Sequence, residues 1–421
     1  MPIVVQFGRF EYVRKTMTKP MASSVANPVE IAPDRPTNRI DALLVLRGLA
    51  CLVVVIAHCQ PPLAALAETG WGWLLAMPGG IAVRVFFTLS GYLIAKGFYL
   101  RRYALTPVGL GRYLRNRAAR LIPLYLAAIA IPALALAPSI FTPAPDNDWV
   151  LLRYLTFTYN HTLPERFNPT LWALSTEVQF YAIAPLLFWL VRGLKILKTM
   201  RRALVAVVVT LVVWFGLREA IVAFLLDLHG GRTASFQLDF IRYVYTLLAA
   251  NLDAFACGML LNPIAAAWKP DRRTQRLAQG AAIAAIALLF IRCTTWKVAG
   301  SLAILSIGPT LTIVAVCLFI VAFEAGDAYL GFRQNRHLSV AACKGNPWRA
   351  LEVSGVLSYG LYVWHYPISI GVLPHFDKLE TTQAIAAFLL QAGAVLGLST
   401  LAAIATRFAI ELPGLAYLKA R

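Results

Sequence analysis

The sequence predicts an all-α bundle of about ten membrane-spanning helices with both termini on the cytoplasmic side. Three observations predict it. The 421-residue chain is 59% hydrophobic and only 14% charged, whereas soluble domains carry about 25% charged residues. Apolar runs long enough to span a bilayer, ~20 residues, recur from residue 42 almost to the C-terminus. Lys and Arg gather in every second interval between those runs.

The elements follow in order. Residues 1–40 are polar, contain Pro20, Pro28, Pro33 and Pro36, and hold no apolar stretch ending in a small-residue cleavage site. They read as a flexible cytoplasmic tail and not as a secretory signal; Met17 and Met21 are alternative starts. Residues 41–413 form the membrane domain, with helices expected near 42–60, 79–97, 121–137, 171–191, 204–226, 243–262, 278–292, 302–324, 355–373 and 385–408. Residues 414–421 are a short cytoplasmic tail. Of the 39 Lys and Arg, 28 fall in one alternating set of intervals and 7 in the other. Basic residues favour cytoplasmic loops, so the fourfold bias supports both the helix count and the orientation.

The net charge of +19 invites a nucleic-acid reading, but the cations sit between apolar runs and not on a polar domain. Nucleic-acid binding is therefore set aside, and membrane lipids are the expected surroundings. Cys51, Cys59, Cys257, Cys293, Cys317 and Cys343 form no C-x-x-C pair and have no histidine cluster beside them. Neither a zinc site nor a disulfide framework is expected.

An ionisable group inside a span costs roughly 3 kcal/mol or more and is a functional candidate by default. Arg47 and His58 share the first span, eleven residues and ~16 Å apart along the axis, close to three turns and so on one face. A fixed cation and a titratable base thus lie at different depths, although His58 could equally be a satisfied interfacial histidine. Glu177 enters its span with Ser175 and Gln179 and is either a chemical group or a structural carboxylate paired with an arginine such as Arg84. His365, among Tyr359, Tyr362, Trp364 and the helix-perturbing Pro367, belongs to a pocket wall or to an interfacial aromatic belt. Asp253 needs a partner that the sequence does not name. The stretch 96–120 is basic without one acid, and Arg117 and Arg120, at i and i+3, share a helix face. They suit either phosphate binding or topogenic charge with anionic-lipid contact.

Taken together, these segments resemble acyltransferase family 3, integral-membrane O-acyltransferases acting on sugars and related acceptors. The resemblance rests on Arg47 and His58 separated by ten residues, on Phe86-Phe87-Thr88-Leu89-Ser90-Gly91-Tyr92, and on Arg117-x-x-Arg120 before Pro123. It continues in Trp172-x-Leu174-Ser175-x-Glu177-x-Gln179-Phe180-Tyr181, in Ser358-Tyr359 through Trp364-His365-x-Pro367, and in Glu411-x-Pro413. Six motifs in the family's order cover residues 40–413. Asn251 departs from the pattern, standing where arginine is usual, and Ala173 replaces a serine.

The resemblance implies acyl-CoA, acetyl-CoA above all, as co-substrate from the cytoplasm with no bound cofactor or metal. It implies a carbohydrate or glycan hydroxyl as acceptor, and His58 as general base. Arg47 would stabilise the oxyanion or bind donor phosphates, and Glu177 joins them as a catalytic candidate. Arg117 and Arg120 would face the CoA phosphates, and Ser90, Trp172, Asp253 and His365 would line the substrate pocket. Ser90 is also a second-choice nucleophile, and a covalent acyl-histidine route stays open. A bacterial-type inner membrane is the expected location. The competing readings are a transporter of an acyl or glycan species without catalysis, and an assembly subunit.

Overall fold

The computed structural model describes residues 40–59, 72–142, 145–159, 168–230, 236, 239–325, 348–372 and 384–420. Regular structure among them is helical throughout, with no strand. The α-helices are α1 (Ala42–Ala57), α2 (Gly79–Tyr99), α3 (Pro107–Leu136), α4 (Pro145–Leu155), α5 (Trp172–Gly193), α6 (Met200–Leu228) and α7 (Leu248–Leu260). They continue with α8 (Asn262–Ala267), α9 (Arg272–Val298), α10 (Ile307–Glu324), α11 (Trp348–Val372), α12 (Ala384–Thr406) and α13 (Leu412–Ala420). Each of the ten expected runs coincides with a helix. Among the described residues, eight segments are long and apolar enough to cross a membrane, while α1 is apolar but shorter, at 16 residues. The expected N-terminal tail lies outside the described residues.

One expectation changes. The basic stretch before residue 121 is mostly helix, because α3 starts at Pro107 behind Thr106, whose hydroxyl accepts from Gly109 N–H at 3.2 Å. An N-cap threonine with proline at the first helical position starts a helix whatever follows. The arginines at 112, 115, 117 and 120 therefore ride on a rigid rod.

Two of the long apolar helices are scarcely covered. The spanning windows of α6 and α9 are each only 17% buried, at mean hydropathies of 2.1 and 1.8. Leu204, Val208, Val212, Leu217 and Phe224 on α6 are exposed. A soluble protein would bury such faces; here lipid covers them.

Helices approach closely where glycine removes the side chain. A Cβ on Gly91 of α2 would run into the Phe255 carbonyl of α7, and one on Gly258 of α7 into the Thr88 carbonyl of α2. Gly48 of α1 and Gly355 of α11 make the same reciprocal approach. Packing of backbone on backbone is what holds helices together where lipid is as apolar as leucine. Gly91→Val is expected to destabilise the fold by ~1–3 kcal/mol or more, read as a lower thermal midpoint in detergent; an unchanged midpoint would refute the close α2–α7 crossing.

Prolines inside helices supply a second tie. Pro185 has no N–H to donate to Tyr181, and the freed carbonyl accepts the Tyr113 hydroxyl of α3 at 3.1 Å. Pro367 frees the Val363 carbonyl in the same way, and Asn168 Nδ2 donates to it at 3.0 Å. The broken ladder is thus re-satisfied from a neighbouring element. With the Tyr362 hydroxyl donating to Thr170 O at 2.9 Å, this pins the turn Pro169–Leu171 to α11 and sets the start of α5, where Trp172 and Glu177 lie.

Candidate active site

Two cavities lie at different heights along the same four helices, α1, α2, α5 and α11. The first, about 40 Å³, is lined by Arg47 of α1, Ser90 of α2, Arg117 and Arg120 of α3, and Glu177 and Tyr181 of α5. The second, about 260 Å³, is lined by His58 of α1, Thr170, Trp172, Tyr245, Lys297 of α9 and Tyr362 of α11. On α2, Gly80 and Val83 face the second cavity and Ser90 and Leu93 the first. Phe86 stands between these positions. Its ring meets the Arg47 guanidinium at 5.7 Å and the Tyr362 ring at 6.3 Å, so one aromatic side chain touches the walls of both cavities.

The first cavity is strongly positive. Three guanidiniums line it and Glu177 is its only carboxylate. Glu177 does not pair with Arg84, the partner offered for it above. Its Oε1 accepts the Ser90 hydroxyl at 2.5 Å and the Tyr181 hydroxyl at 2.6 Å. Tyr181 in turn presents its ring to Arg117, at 5.7 Å, so the carboxylate steadies the face on which that arginine rests. The Nε–H groups of Arg47 and Arg117 are buried without a partner. Burying an unmet donor costs free energy, and a phosphate-bearing ligand would supply the missing acceptors.

The second cavity is built around His58, which caps the C-terminus of α1. His365 lies behind it, fully buried. Its Nδ1 is 2.6 Å from the Tyr362 carbonyl and its Nε2 is 3.2 Å from His58 Nδ1. A carbonyl only accepts, so His365 carries its proton on Nδ1 and offers the lone pair of Nε2. His58 Nδ1 then donates, towards that lone pair and towards Val54 O at 2.9 Å. The proton is thereby held on Nδ1, and His58 Nε2 is left with the lone pair a base requires. The edge-on Tyr366 ring, 5.4 Å from His58, helps fix the imidazole plane. Trp172 and Tyr245, 4.8 Å apart, add an aromatic wall.

The structure thus gathers Arg47, Ser90, Arg117, Arg120 and Glu177 in one cavity and His58 and Trp172 in the other, with His365 behind His58. Asp253 lines neither. It is buried in an ion pair with Arg218 of α6, whose Nη1 also donates to Thr310 at 2.7 Å. Asn251 meets no anion; its Nδ2 caps the Tyr245 and Leu247 carbonyls at 2.8 and 2.9 Å. Sequence reasoning passed over Arg218, although it is as costly inside its apolar run as Asp253. It also passed over Lys297, counted as a loop charge because α9 was expected to end near residue 292.

Comparison with known proteins decides the family. A family model described as an acyltransferase domain, Acyl_transf_3, matches residues 40–407. The chain belongs to the acyltransferase 3 family. With its lipid-facing apolar helices, this member of the family is an integral membrane protein. It is 25% identical over 365 residues to the peptidoglycan O-acetyltransferase OatA of Listeria monocytogenes, covering 80% of this chain and 50% of that protein. It is 30% identical over 166 residues to the acyltransferase MdmB of Streptomyces mycarofaciens, covering 38% of this chain and 41% of that protein. The match therefore spans half or less of each relative's length. No solved structure matches the chain.

Proposed function

We propose that the protein transfers an acyl group, acetyl foremost, from acyl-CoA to a hydroxyl of a carbohydrate acceptor, with His58 as general base. One observation carries the reading: a cavity walled by three arginines and a histidine whose proton is held on Nδ1 lie in succession along α1. Acyl-CoA is a polyanion at one end and a neutral thioester at the other. Its phosphates suit Arg47, Arg117 and Arg120, on the Lys- and Arg-rich side that we take as cytoplasmic, and its acyl end would extend past Phe86 towards His58. The ~16 Å between Arg47 and His58 favours phosphate binding over oxyanion stabilisation as the role of Arg47. OatA, named as a peptidoglycan O-acetyltransferase, supports acetyl as the group and a glycan as the acceptor. Ten crossings, cytoplasmic termini and a bacterial-type inner membrane complete the proposal.

In the reaction, the acceptor O–H gives its proton to His58 Nε2 while its oxygen attacks the thioester carbonyl. The C–S bond breaks, an O-acyl ester forms, and the leaving CoA thiolate takes the proton back from the His58 imidazolium, which restores the neutral base. As His58 becomes an imidazolium, its Nδ1–H bonds to Val54 O and to His365 Nε2 strengthen, which lowers the cost of the charge.

Purified protein incubated with acetyl-CoA radiolabelled in the acetyl group and a panel of glycans tests this. Labelled ester on a glycan with stoichiometric release of CoA is the expected result. Donor that neither binds nor turns over would overturn the proposal and favour a transporter.

A further inference from the structure

We infer that the acceptor is an acidic sugar, its carboxylate held by Lys297 in the His58 cavity; this rests on the acyl-transfer reading above. Lys297 lies in the last turn of α9. Its Nζ donates to the Met77 carbonyl at 2.7 Å, and no carboxylate pairs with it among the described residues. Among the described residues, no Asp or Glu lines this cavity. A cation in a membrane protein without a counter-ion is costly, and a neutral carbonyl takes only one of its three N–H donors. The two that remain match the two oxygens of a carboxylate.

The surroundings are positive as well. Gly79 and Gly80 begin α2 on the same wall, with no side-chain cap, so the positive end of that helix adds to the field. Arg84, one turn along α2, is 2% exposed, has two nitrogens without partners, and acts electrostatically on Tyr245 of the cavity wall. Asp253 does not offset this, being neutralised by Arg218. Trp172 and Tyr245 offer a face on which a sugar ring can stack, and His58 stands on the other side. The cavity thus provides for an apolar ring face, a hydroxyl and an anion at once.

A cation near a helix C-terminus also favours the helix dipole, and the bond to Met77 could be only a latch. The experiment separates the two roles. Transfer rates from acetyl-CoA are measured for two oligosaccharides that differ only in a terminal glucuronyl or glucosyl unit. They are measured with the wild type, Lys297→Gln and Lys297→Arg, alongside the KM for acetyl-CoA. We expect the wild type to favour the glucuronyl acceptor by about tenfold or more in kcat/KM, the scale of one charge-assisted hydrogen bond. Lys297→Gln should erase the preference through the acceptor KM, Lys297→Arg should keep most of it, and the donor KM should not move. Equal use of both acceptors by the wild type, or a glutamine variant that slows both alike, would overturn the inference and leave acyl transfer standing. No transfer to either acceptor, under conditions where acetyl-CoA is not consumed, would overturn acyl transfer itself and the inference with it.

Discussion

His58→Ala is expected to lower kcat for acetyl transfer by 10²- to 10⁴-fold, the range that one positioned base supplies, with acetyl-CoA binding unchanged. The proposed donor site is the other cavity, around Arg47, Arg117 and Arg120, so binding and chemistry should separate cleanly. His365→Ala should act in the same direction but less strongly. It removes the acceptor at 3.2 Å from His58 Nδ1 while Val54 O still orients the ring. His365→Gln, which keeps an acceptor, should recover part of the rate. Kinetics on purified variants with matching thermal midpoints would check this, and transfer that survives in His58→Ala would move the base elsewhere.

Asp253→Ala should be the most damaging change to folding. It leaves the Arg218 guanidinium buried at 3% side-chain exposure with no counter-charge. Breaking such a pair from one side costs ~3–5 kcal/mol, a large share of a typical protein's stability. The double variant Arg218→Met/Asp253→Leu removes both charges and should recover most of the loss. Because the pair lines neither cavity, the acyl-transfer rate per folded molecule should hardly change. A folded Asp253 variant with its chemistry abolished would instead return this carboxylate to the substrate pocket. Thermal midpoints and rates of the three variants decide it.

Much of this architecture is legible in the sequence because the membrane makes polarity expensive. Each apolar run announces a helix, and a charge inside one marks a place where its cost is met, in a cavity wall for Arg47, His58 and Glu177 and in a buried ion pair for Asp253. The eleven residues from Arg47 to His58 even gave their difference in depth. What the sequence hides is who meets whom. His58 and His365 are 307 positions apart, and nothing local says that the second ring sets the tautomer of the first. Glu177 found two hydroxyls in place of an arginine, because hydroxyls carry no signal in a hydropathy profile. The beginning of α3 was masked by the charge of its first turns, although Thr106 and Pro107 marked it. Lys297 was misplaced for the related reason that a cation near a helix end looks like a loop residue.

Phe86 has an electrical consequence. Where water fills both cavities, the transmembrane voltage falls mainly across the thin layer between them, to which Phe86 belongs. Carrying a unit charge through such a focused field costs about 2.3 kcal/mol per 100 mV. In the proposed transfer the thioester reaches His58 as a neutral group, so the voltage neither drives nor opposes its passage, while the charged CoA phosphates stay with the arginines of the first cavity. Under that proposal the ring would be an insulator that lets an energised membrane pass a neutral reactant without passing current.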